Sequence, residues 1–89
     1  MGQVVFLVNQ LQSRDPALAR RFEKEIEEAA AAADPHETVE CRILIADENP
    51  SLVRIQLGRP GWVKAFPPVP VEAPEGEVRS KTSEFLRGA

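Results

Sequence analysis

The chain has 89 residues, 11 of them basic and 14 acidic, with 43% hydrophobic and 28% charged residues and a formal net charge of −3. That balance describes one ordinary globular domain rather than a disordered tail, and it supplies no broad electrostatic basis for binding nucleic acid or an anionic membrane. The single cysteine excludes an internal disulfide and no apolar run approaches membrane-spanning length, so the composition reads as that of a cytoplasmic protein.

Val4-Val5-Phe6-Leu7-Val8 is a continuous apolar run of β-branched and aromatic residues. It predicts a strand buried on both faces, hence central in its sheet. A helix follows, with Asp15 as N-cap, Pro16 at the first helical position and Asp34-Pro35 closing it. At helical periodicity Leu18, Phe22, Ile26, Ala29 and Ala33 share one stripe, opposite Arg20, Glu23, Lys24 and Glu27.

Val39, Cys41, Ile43 and Ile45 then alternate with polar residues, the pattern of a half-buried strand. Asp47 to Ser51 is dense turn chemistry. A third strand places Val53, Ile55 and Leu57 on one face and Arg54 and Gln56 on the other. Pairing Ile45 with Val53 and Ile43 with Ile55 keeps both apolar sets together, which predicts a hairpin in that register. After the turn Gly58-Arg59-Pro60-Gly61, residues Trp62 to Phe66 predict a short fourth strand.

The expected fold class is therefore α+β: a single β-α-β-β-β domain with a four-stranded mixed sheet and one long helix on one face. Strands one and two should be parallel and the others antiparallel. The uncovered face would show Val5, Leu7, Leu44, Val63 and Ala65 beside Arg42, Arg54 and Gln56. Residues 1–66 form the expected domain. Residues 67–89 form a proline-rich strap, because Pro67, Pro68 and Pro70 cannot propagate a ladder. Ser80 to Leu86 would add a short helical segment, with Gly88 just past its end.

Asp34, His36, Glu37, Glu40 and Cys41 are the only clustered metal-competent side chains, yet they lack the paired spacing of a metal site. Cys41 alternates in phase with core residues, which denies it the exposed, electropositive setting of a nucleophile. No catalytic, cofactor or metal site is assigned. Interaction chemistry is better represented. Arg59 within the Gly58–Gly61 turn and Trp62 just after it offer a planar cation beside an aromatic, a pairing frequent at interface hot spots, although the same residues suit a hairpin whose tryptophan covers the core. Phe66 opens a Pro-Pro-Val-Pro string that suits either a groove-docking ligand or, as expected here, a strap packed through Val69 and Val71. With Leu44 and Arg54 on the open face and Phe85 and Leu86 near the C-terminus, these are the interface candidates.

The function this predicts is a non-enzymatic interaction or assembly module, a homodimer, higher homo-oligomer or accessory subunit. Two competing expectations are a small enzyme or ligand-binding domain, with Arg42, Arg54 and Gln56 around an anion beneath the strap, and an acidic regulator acting through Glu23, Glu27 and Glu28.

Overall fold

Asp15 caps the long helix as its position before Pro16 predicts: its Oδ1 accepts from the Leu18 amide at 3.2 Å. This contact is taken from a computed structural model that describes residues 3–33, 38–59 and 62–88, with side chains for 4–33, 38–58 and 68–87. The elements run β1 (Gln3–Asn9), α1 (Leu11–Arg14), α2 (Pro16–Ala33), β2 (Thr38–Ile45), β3 (Leu52–Arg59), β4 (Trp62–Pro70) and α3 (Glu77–Gly88). The four strands lie in the order β1-β2-β3-β4. β1 is parallel to β2, and the other two neighbours are antiparallel. The domain is α+β with a mixed sheet, and the hairpin pairs Ile43 with Ile55 and Ile45 with Val53 as the alternation requires.

Several elements differ from expectation: the helical layer holds α1 and a full α3 beside the one long helix expected, and two strands depart from their predicted place or length. The apolar strand β1 lies at a sheet edge, not in the centre. The fourth strand does not stop at Phe66 but continues through Pro67, Pro68 and Pro70. An edge strand needs amides on one side only, and β4 absorbs one extra residue where its register shifts between the Val53–Val69 and Ile55–Phe66 pairs. That is where prolines are tolerated. The first part of the expected strap is thus in the plane of the sheet.

The helices form a layer on one face. Phe22 and Ile26 of α2 are fully buried against Cys41, Ile43, Val53, Ile55 and Val69 of the sheet. The buried stripe also takes in Ala19, Glu25 and Ala30, while Ala33 at the helix end is exposed. The stripe is wide because a second helix shares it. α3 begins at Glu77, three residues before the expected start, and buries Val78, Thr82 and Leu86 at intervals of four. The Thr82 hydroxyl donates to the Val78 carbonyl at 2.7 Å, so its polar atom is satisfied inside the core.

α3 is held to α2 by a buried carboxylate. Glu25, 5% exposed, accepts from the amides of Gly76 at 3.0 Å and Arg79 at 3.1 Å. It acts from a neighbouring helix as the N-terminal cap of α3, where a negative charge also suits the macrodipole. Gly76 enters the helix at φ 91°, a left-handed conformation that favours glycine. Arg21 lies 3.4 Å from Glu25 and donates to the Ala73 carbonyl at 2.5 Å, so one ion pair grips both ends of the turn before α3. Replacing Glu25 with Ala strands two amides and the arginine. Chemical denaturation is expected to show a loss of about 2–4 kcal/mol, with Glu25→Gln losing less because one acceptor survives.

Candidate interaction surface

The face of the sheet away from the helices begins at β1. Between Phe6, opposite Cys41, and Val8, opposite Arg42, the strand carries one extra residue, Leu7. A bulge of this kind breaks the alternation. Val8, paired with Arg42, therefore joins Val5 and Leu7 on the open side. These three are 38%, 44% and 39% exposed, and they are the large hydrophobic side chains left most open among the described residues. Leu44, Arg42 and Gln56 continue the surface as half-buried neighbours, with Glu40 and Arg54 exposed. Alternation alone finds Val5 and Leu7, but nothing in the sequence signals the bulge that adds Val8.

Arg54 is tied to Glu48 in the β2–β3 loop by an ion-paired hydrogen bond. A hydrogen bond that the Glu48 carboxylate accepts from its own backbone amide, reinforced by Arg54, holds that carboxyl below the usual carboxylate range. The pair therefore persists from neutral pH down through the ordinary glutamate range and loosens only in stronger acid. The loop is pinned elsewhere: the Ile45 amide donates to the Gln10 side chain at 2.7 Å, and Arg14 donates to the Pro50 carbonyl at 3.0 Å.

The remaining interface candidates fall into two groups. Val69 and Leu86 are 0% and 5% exposed and belong to the domain's own core, while Val71 and Phe85 pack partly buried against it. Leu44 and Arg54 remain on the open face. The side chains of Arg59, Trp62 and Phe66 lie outside the described residues, as do those of Val63 and Ala65.

Chemistry is sparse across this surface. Asp34, His36 and Glu37 lie outside the described residues, and of the neighbouring groups Glu40 is exposed while Cys41 is buried across the strand. Among the described residues no group of three His, Cys, Asp or Glu side chains gathers to hold a metal. Burial, with a smaller effect from Glu23, pushes the Cys41 thiol up to about 12. The native thiol stays protonated at neutral pH, so labelling by a thiol reagent is expected to be slow until denaturant is added. Rapid stoichiometric labelling of folded protein contradicts this placement. An unfolded thiol ionises near 9, so this contribution to stability is complete below that pH and falls as pH rises toward 12, by up to about 1.4 kcal/mol per unit.

Depressions of ≈ 370 Å³ occur on the helical side, one beside Gln12, Arg20 and Glu23 and another beside Lys24, Glu28 and Arg79. They are open and lined by solvated charges, unlike the enclosed apolar pockets that bury small ligands. No helix of the described residues is long and apolar enough to cross a membrane. Compared with protein-family models, with curated proteins and with solved structures, the chain matches none.

Proposed function

We propose that the protein is a non-enzymatic interaction module that self-associates through the β1 side of its sheet. One observation carries this reading: the helices cover a single sheet face, while Val5, Leu7 and Val8 stand exposed together on the other. Contiguous apolar groups rimmed by polar ones mark association surfaces on small domains. Here the rim is Glu40, Arg42, Arg54 and Gln56, which carries both signs of charge and so does not repel a second copy of the same surface.

The folded area supports docking of a preformed domain over mutual folding. The chain exposes 5340 Å², close to the roughly 5,200 Å² that size scaling gives for a compact monomer of this mass. Changing Val5, Leu7 and Val8 together to serine tests the reading. Each keeps only 38–44% of its surface in water, so the triple change should cost some stability, though less than a core truncation such as Phe22→Ala. The dilute variant is first checked for a cooperative unfolding transition. Association at high-micromolar concentration should be lost. Undiminished association of the triple variant contradicts the proposed surface.

A further inference from the structure

We infer that β1 is the pairing strand of a symmetric dimer, hydrogen-bonded antiparallel to β1 of a second copy. This rests on the self-association reading and specifies its geometry. The sequence of β1 and its position in the sheet do not match. Val4 to Val8 have the continuous apolar character of a strand flanked on both sides, yet β1 has a neighbour on one side only. All five remain incompletely buried: Val4 and Phe6 are half-buried toward the helices, and Val5, Leu7 and Val8 are exposed on the open face.

The two sheet edges are also treated differently. Exposed edges are normally protected by charge or proline. β4 carries Lys64 and three prolines, which remove amides from its ladder. β1, Gln3 to Asn9, carries no proline and no charged residue. It is the edge left open to pairing.

The occupant is a second copy because the strand mirrors itself. Read from either end, Gln3 to Asn9 runs polar, five apolar, polar, with Phe6 at the centre. Antiparallel pairing about Phe6 sets Val5 opposite Leu7 of the second copy, both on the open face, and brings the two Phe6 rings together on the helical face. Directly opposite residues approach to about 4.5–5.5 Å between Cα atoms, close enough for side-chain contact. A two-fold axis perpendicular to the sheet then joins two four-stranded sheets into one of eight, with both helical layers on the same side. The bulge at Leu7 ends the regular ladder early. The interface is short, in the size class of reversible association.

The test combines sedimentation with amide hydrogen exchange on the full chain, below and above the concentration of association. Amides of alternate residues within Val4–Val8 are expected to slow about tenfold or more on association, as unpaired edge amides become bonded. Val5→Lys with Leu7→Lys should weaken the dimer at least about tenfold, whereas Leu44→Lys, one strand inward, should change it by less than about twofold. A wild-type dimer whose β1 amides are unchanged and which Leu44→Lys abolishes would overturn edge pairing while leaving self-association intact. A wild-type chain that stays single at every concentration overturns both.

Discussion

A chain ending at Phe66 is expected to lose its cooperative unfolding transition. Truncation there removes Val69, Ala73, Val78 and Leu86, all at most 5% exposed, together with the segment that Glu25 and Arg21 grip. Burial of two valines and a leucine is worth roughly 5–7 kcal/mol. A domain this size has about 4–13 kcal/mol in total. The truncated core would also leave Phe22, Ile26 and Ile55 partly uncovered, since the removed residues pack in the same cluster. Circular dichroism should then show a shallow, gradual melt. A sharp transition at an unchanged temperature would mean that residues beyond Phe66 are dispensable, contrary to their burial.

Phe22→Ala is expected to cost about 3–5 kcal/mol. The ring is 0% exposed on the sheet-facing side of α2, in one cluster with the central strands. Deleting it opens a cavity that close-packed β-branched neighbours cannot collapse to fill. For a domain of this length, 3 kcal/mol lowers the melting temperature by roughly 12 °C or more. The comparison belongs at low protein concentration, where association does not add to apparent stability. A loss below about 1 kcal/mol contradicts the packing of α2 on the sheet.

Local patterns made the hairpin and the long helix legible. Period-two alternation fixes the Ile43–Ile55 and Ile45–Val53 pairs because any one-residue slip turns a whole apolar set to solvent. Asp15-Pro16 marks the helix start because capping and proline chemistry act within one turn. The strand β4 was legible only to Phe66. Proline's missing amide is a local fact, but whether a neighbour needs that amide depends on edge position, which no local pattern records.

The same limit explains β1: its apolar run encodes a preference for burial, while the number of flanking strands is set by the rest of the chain. Glu25 was hidden for a related reason. Its partners, Gly76 and Arg79, lie 51 and 54 residues away, and a helix glutamate beside an apolar stripe looks like any solvated one until α3 is in place. Of the candidate surface, Leu44 and Arg54 could be read from strand phase, whereas Val8 required the bulge.

A half-covered sheet that joins copies of this chain makes the protein's mass depend on its concentration. Sedimentation equilibrium of the 89-residue chain over a concentration series measures that directly. The expected result is a mass that rises from the 9.8 kDa of one chain toward twice that value across the micromolar range, as a short reversible interface requires. A single species at 9.8 kDa throughout would contradict it.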